Sequence, residues 1–249
     1  MAPAARGAGA NRRHRYVGAL VLAGIAAGGL SACTPGTNAQ DDAEVSEKIT
    51  SVRLDSSSGG VTINGREGAG KISVHRSIDY QDDRPGTTTR VENGVLVLGG
   101  CGQHCSVNYT LEVPAGLPVD GQTSSGAVSL SRVGPVKVTT HSGGITLDTV
   151  AGPVEVQTTN GAIRGTGLNG DRIQAQTSNG QIDLTPARAQ DVRAKTSNGA
   201  ISLTVPAGSY KVAAQTNNGR KEIGITDDPS GRYHLDLTTS NGRITVKNA

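Results

Sequence analysis

From Val128 to the C-terminus, apolar residues fall on alternate positions in short runs, the two-residue period of a half-buried β-strand rather than the spacing of a helix. One set of runs carries Val128 and Leu130, Ile145 and Leu147, Ile182 and Leu184, Ile201 and Leu203, and Ile244 and Val246. A second set reads Val136, Val138, Thr140; Val154, Val156, Thr158; Ile173, Ala175, Thr177; Val192, Ala194, Thr196; Val212, Ala214, Thr216; and Leu235, Leu237, Thr239. Each run of the second set predicts a strand whose apolar face ends in threonine.

That threonine opens a signature, Thr-x-[Ser/Asn]-Gly, which occurs seven times. Its glycines are Gly126, Gly143, Gly161, Gly180, Gly199, Gly219 and Gly242, separated by 17, 18, 19, 19, 20 and 23 residues. A near-constant period of this size marks a stacked repeat. Equivalent strands of successive units can stack in register, so that like side chains form columns, whereas one unit alone has nothing against which to bury its apolar face. The predicted fold is therefore all-β, a single elongated β-solenoid of repeats of about 19 residues. Asn-Gly or Ser-Gly stands where the chain must turn, since glycine tolerates positive φ and asparagine accepts the left-handed region. The same dipeptide also marks two-residue hairpins. A meander, however, gives no reason for both runs and the turn to recur together.

The region before Val128 is less regular. "SSGGVTINGREGAGKISVHRS" reads as a degenerate opening coil, "VENGVLVLGG" offers another strand, and "YQDDRPGTTTR" between them is polar and loop-like. A longer echo links "LEVPAGLPVDGQTSSG" from Leu111 with "LTVPAGSYKVAAQTNNG" from Leu203. No linker-like break divides residues 47–249, which are expected to form one repeat domain. With no Phe or Trp and only five Tyr, its core must be slender and filled by Val, Ile, Leu, Ala and Thr. The last run, "NGRITVKNA", has no obvious cap and reads as a free edge.

The N-terminus reads differently. Arg6, Arg12, Arg13 and Arg15 precede the uncharged apolar segment "YVGALVLAGIAAGGL", so residues 1–32 are expected to be a secretion signal. The segment closes on "LSAC", Leu30 to Cys33, which resembles the bacterial lipobox and makes Cys33 the expected lipidated mature N-terminus, anchored in the membrane. The polar stretch over residues 33–46 has the composition of a flexible tether. The whole chain carries a formal charge of +3, but the signal removes four Arg and no acid, leaving 20 basic against 21 acidic residues. No basic face or stripe points to a nucleic acid.

Serial "TSNGxIxL" units behind a lipobox resemble a bacterial putative-adhesin family, domains of unknown function built from β-strand repeats. The resemblance covers most of the mature chain. It implies a right-handed solenoid, an extracytoplasmic location at the cell surface, and roles in adhesion or envelope-stress sensing. It carries no catalytic residues and no cofactor.

Cys101 and Cys105, in "GGCGQHCSV", are the other two cysteines. Outside the cytoplasm, two cysteines in one short loop read as a disulfide. Free thiols and a metal site with His104 are alternatives, the latter short of the four ligands that a closed zinc site takes. His141, Ser142 and Asp148 have the residue types of a hydrolytic triad, but the Gly-x-Ser-x-Gly elbow is missing and Ser142 occupies the repeat's turn. Asp227 and Asp228 read as a solvated turn, with too few spaced oxygen ligands for a calcium loop. The outward positions mix Lys137, Glu155, Arg193 and Asp236 with Gln174 and Ala213, without the recurrent carboxylates that a glycosidase on such a scaffold needs. The expected function is a non-enzymatic, lipid-anchored envelope module that binds another envelope protein or a polysaccharide. The alternative is a carbohydrate-binding or carbohydrate-active protein.

Overall fold

A computed structural model describes residues 36–249, and every regular element among them is a strand. β1 (Thr37–Val45) precedes a first coil of β2 (Ser51–Ser58) and β3 (Val61–Arg66). β4 (Ile72–Tyr80) and β5 (Thr89–Glu92) lead to a coil of β6 (Val95–Gly99) and β7 (Cys105–Pro114). Four coils follow in chain order: β8 (Val119–Ser125) with β9 (Val128–Ser131), β10 (Val136–Ser142) with β11 (Ile145–Asp148), β12 (Val154–Asn160) with β13 (Ile163–Leu168), and β14 (Arg172–Asn179) with β15 (Ile182–Pro186). The last three are β16 (Asp191–Asn198) with β17 (Ile201–Val205), β18 (Tyr210–Asn218) with β19 (Lys221–Ile223), and β20 (Tyr233–Asn241) with β21 (Ile244–Asn248).

Each coil gives one strand to each of two sheets. The first sheet has 11 strands in the order β1-β4-β7-β3-β9-β11-β13-β15-β17-β21-β19, and the second has 10 in the order β5-β6-β2-β8-β10-β12-β14-β16-β20-β18. Every coil-to-coil pairing is parallel; the antiparallel pairs among the described strands, β1 with β4, β4 with β7 and β5 with β6, lie at one end of the stack. The all-β solenoid of stacked repeats is thus the observed architecture.

The coils do not stack in strict chain order. From β7 the chain passes over β2–β3 to begin β8, and from β17 it passes over one position to build β18–β19 before returning to fill the gap with β20–β21. The two forward skips start at Val113-Pro114-Ala115-Gly116 and Val205-Pro206-Ala207-Gly208, the segments that echo each other in the sequence. A proline there carries no N–H for the ladder, which suits a place where a strand must stop. The widest interruption of the repeat, around Asp227 and Asp228, is the return loop. This order corrects the expected free edge: β21 lies inside its sheet, paired with both β17 and β19, and the open edges are β18 and β19.

A second correction concerns residues 33–46. From Thr37 to Val45 this expected tether is strand β1, paired over nine positions with β4. None of its residues is fully buried, and polar contacts hold it instead. Glu44 meets Lys71 Nζ at 2.8 Å, Asp42 meets His75 Nδ1 at 2.8 Å, and Asn38 donates to Asp79 at 2.8 Å. Asp41 accepts a bidentate pair of bonds from Arg76, whose third nitrogen donates to Gly86 O at 2.8 Å and Thr88 Oγ1 at 3.0 Å. The buried Tyr109 hydroxyl donates to Gly99 O at 2.8 Å beside Thr88, so this end of the core is closed by a polar plug.

Between the sheets, the alternate Val, Ile, Leu and Ala positions of the interior coils are 0–3% exposed. Each buried Val, Leu or Ile contributes roughly 1.5–3 kcal/mol. All the threonines of the signature but Thr216 are buried too, and five of the hydroxyls reach one coil across. Thr158, Thr177, Thr196, Thr239 and Thr216 donate to the carbonyls of Gly143, Gly161, Gly180, Gly199 and Gly242 at 2.9–3.0 Å.

The same glycines form a column in which no Cβ fits. A Cβ on Gly180 would lie 2.0 Å from Gly161 O, and those on Gly126, Gly143, Gly161, Gly199, Gly242 and Gly219 would lie 1.9–2.1 Å from the neighbouring glycine's carbonyl. Close approach, more than the left-handed φ expected at the turn, is what makes the residue glycine. The column reaches Gly59, whose carbonyl would lie 2.1 Å from a Cβ on Gly126, so "SSSG" in β2 is the signature with serine in place of threonine.

Candidate interaction face

The outward side chains of the second sheet form columns because its coils stack in register. One column reads Arg53, Asp120, Lys137, Glu155, Gln174, Arg193, Asp236, Ala213. Its charges alternate in sign, and neighbours pair: Arg53 with Asp120 at 2.7 Å, Lys137 with Glu155 at 3.2 Å, Arg193 with Asp236 at 3.1 Å. These exposed pairs, screened by solvent, add little to the stability of the fold. Their larger effect is to leave the column nearly neutral.

The next column is Asp55, Gln122, Thr139, Gln157, Gln176, Lys195, Thr238, Gln215, mostly neutral amides and hydroxyls. Beyond it, at the corner, runs an asparagine ladder that the repeat count did not reveal as a bonded chain. Asn179 donates to Asn160, Asn198 to Asn179, Asn241 to Asn198 and Asn218 to Asn241, each at 2.9 Å. Parallel strands repeat every ~4.8 Å, so this face offers hydrogen-bonding groups at a fixed spacing.

Two adjoining hollows lie on this face over β2, β8 and β10. One of about 420 Å³ is lined by Asp55, Ser57, Gln122, Ser124, Thr139, His141 and Thr159 among others. The other, about 700 Å³, adds Arg53, Arg90, Asp120 and Lys137 and shares Asp55, Gln122 and Thr139 with the first. Together they form one shallow polar groove, rimmed by both signs of charge.

The structure separates His141, Ser142 and Asp148. His141 lies on the groove rim with Nδ1 3.4 Å from Thr159 Oγ1, Ser142 sits in register with Asn160 at the turn, and Asp148 is on the first sheet, accepting from Ser131 and Thr166. No opposed pair in either sheet brings two carboxylates together among the described residues. Cys101 and Cys105 form a disulfide with Cα atoms 5.7 Å apart, and His104 between them points to Asp82 at 3.4 Å. Among the described residues no group of His, Cys, Asp and Glu could hold a metal ion.

In the return loop, Asp228 accepts from Ser209 Oγ at 2.5 Å and from Ser230 N at 2.9 Å, contacts that hold its carboxyl below the usual aspartate range. Asp227 accepts from Val212 N at 2.9 Å. Both carboxylates thus bind the chain's own loop. Cys33 and the signal lie outside the described residues.

No curated protein matches the chain. Among solved structures it is similar to a putative adhesin from Parabacteroides merdae, at 9% identity and a TM-score of 0.46, covering 85% of this chain and 96% of that one. A putative adhesin from Parabacteroides distasonis is 12% identical with a TM-score of 0.45, covering 87% and 98%. A putative cell adhesion protein from Clostridium sporogenes is 13% identical with a TM-score of 0.38, covering 86% and 100%. The Toastrack DUF4097 family model matches residues 118–247, β8 through most of β21 and just over half of the sequence, and the chain belongs to that family.

Proposed function

We propose that the protein is a non-enzymatic module of the cell envelope, lipid-anchored through Cys33, that binds another envelope component along the outer face of its second sheet. The observation that carries this reading is the groove over β2, β8 and β10: a neutral, hydrogen-bonding surface held at fixed spacing by the stack. Charge alternation within the column leaves polar contacts, rather than net attraction, to select the partner. The lipobox at Leu30–Cys33 supplies the address.

Envelope fractionation, globomycin treatment and a Cys33→Ala variant, combined with crosslinking from the groove, test both halves. Diacylglycerol on Cys33 and one reproducible crosslinked envelope protein, lost in a Gln122→Glu, Thr139→Glu variant, are expected. A soluble, inhibitor-insensitive protein would sink the anchoring half; unchanged crosslinks in the variant would sink the face. The repeated amides and hydroxyls favour one second reading, a linear glycan in the same groove, which a glycan screen of wild type against that variant tests.

A further inference from the structure

Every asparagine of the corner ladder is followed by glycine. In that pair the asparagine side chain is open to attack by the next backbone nitrogen, because glycine puts no Cβ in the way. The stack treats these pairs alike except at one end. Gly161 N donates to Asn179 O, Gly180 N to Asn198 O, Gly199 N to Asn241 O and Gly242 N to Asn218 O, at 2.9–3.0 Å, each bond running to the next coil outward. β18 is the last strand of its sheet, so Gly219 N has no coil to reach and makes no hydrogen bond among the described residues.

The carboxamide is loosely held there too. Asn179, Asn198 and Asn241 each donate one ladder bond and accept another, whereas Asn218 donates to Asn241 Oδ1 at 2.9 Å and its own Oδ1 accepts nothing among the described residues. Asn160, at the other end of the ladder, also keeps a single bond of this kind, but its glycine nitrogen is tied and its strand β12 is paired on both sides. Gly219 is exposed, while Gly161, Gly180, Gly199 and Gly242 are half-buried.

We propose that Asn218 is a site of spontaneous self-modification. Gly219 N attacks Asn218 Cγ; the new C–N bond closes a five-membered succinimide as the glycine nitrogen gives up its proton and ammonia leaves. Water then opens the ring at one of its two carbonyls, leaving aspartate or isoaspartate at position 218. The chain must leave the extended conformation to bring these atoms together, which an edge strand paired on one side does at lower cost than a strand paired on both. Aspartate sets a carboxylate against Asn241 Oδ1, acceptor against acceptor, and isoaspartate adds a backbone atom that breaks the register of Asn218 with Asn241. Either product loosens the last coil from the ladder, and neither reverts.

The full chain, held in warm, mildly alkaline buffer and digested with trypsin at intervals, reads the ranking by mass spectrometry, because the five asparagines fall on separate peptides. Asn218 is expected to convert about tenfold faster than Asn160, Asn179, Asn198 or Asn241 in the folded chain, and at a similar rate to them in denaturant. Asn241 is the matched reference, since Gly-Arg follows it as it follows Asn218. An Asn218 that converts no faster than Asn241 in the folded chain overturns the proposal, as does a ranking that denaturant leaves unchanged. Asn218→Asp installs one product directly and should speed conversion of Asn241, next along the ladder, about threefold by freeing Gly242 N. An Asn241 rate that this variant leaves unmoved would overturn the loosening of the last coil.

Discussion

The Thr196 hydroxyl donates to the carbonyl of Gly180, one coil away, at 3.0 Å. Thr140, in the equivalent column position two coils earlier than Thr177, is equally buried, yet its Oγ1 finds no partner among the described residues. Threonine and valine have nearly the same shape, so replacement isolates the hydroxyl. Thr196→Val leaves the half-buried Gly180 carbonyl short of a donor and should cost about 1 kcal/mol, whereas Thr140→Val removes an unpaired buried hydroxyl and should be neutral or stabilise by up to ~1 kcal/mol. Urea unfolding of both variants reads the difference, and equal losses would contradict the assignment.

Gly180→Ala would place a Cβ 2.0 Å from Gly161 O, a backbone atom that two neighbouring strands hold in place. The stack must spread to admit it, at a cost of about 3 kcal/mol. Gly70, in the turn before β4, has nothing within 4 Å and no left-handed φ. Gly70→Ala should leave stability unchanged or raise it by ~0.5 kcal/mol through the unfolded chain. Thermal melts of the two variants should diverge by many degrees; similar midpoints would mean that the column is not close-packed.

The same glycine column shows what the sequence made legible. Period, alternation and the invariant spacing of threonine and glycine follow from stacking, so the repeats of 118–247 are readable as coils from the order of residues alone. Spatial order is not, because β20–β21 and β18–β19 carry the same columns and fit either position; only the Val-Pro-Ala-Gly echo marks where the chain skips. β1 is illegible for another reason. Its contacts are charges matched across a strand pair, Asp41 to Arg76 and Glu44 to Lys71, and 35 or 27 residues of separation leave no periodic trace. The groove on the second sheet likewise depends on which outward residues of different coils become neighbours. Lys137 and Glu155 look like unrelated signs until register pairs them.

The asparagine ladder predicts a graded response. Asn198 both donates to Asn179 and accepts from Asn241, while Asn218 at the end of the ladder makes one such bond. At roughly 0.5–1 kcal/mol per bond, Asn198→Ala should cost about twice as much as Asn218→Ala. Denaturant midpoints of the two single variants check the ratio, and an Asn218→Ala as damaging as Asn198→Ala would argue against a chain of equivalent bonds.

Acid should release β1 before it unfolds the stack. The Arg76 guanidinium, hydrogen-bonded to Asp41 with Arg84 nearby, holds the Asp41 carboxyl below its ordinary range, and Lys71 does the same for Glu44. Groups whose folded pKa is depressed stabilise the fold at every pH above their unfolded values, and that contribution is lost as pH falls through the lowered ones. The loss therefore sets in below about pH 4. β1 buries no apolar side chain fully, so nothing replaces these contacts, whereas β12 in mid-stack has Val154 and Val156 at 2% exposure, apolar burial that carries no titrating group. Hydrogen exchange corrected for intrinsic rates should show residues 37–45 opening as pH falls below about 4 while β12 stays protected, and Asp41→Asn should open the same segment at pH 7. Simultaneous loss of protection in β1 and β12 would mean that the strand is an integral part of the stack rather than a charge-held strap.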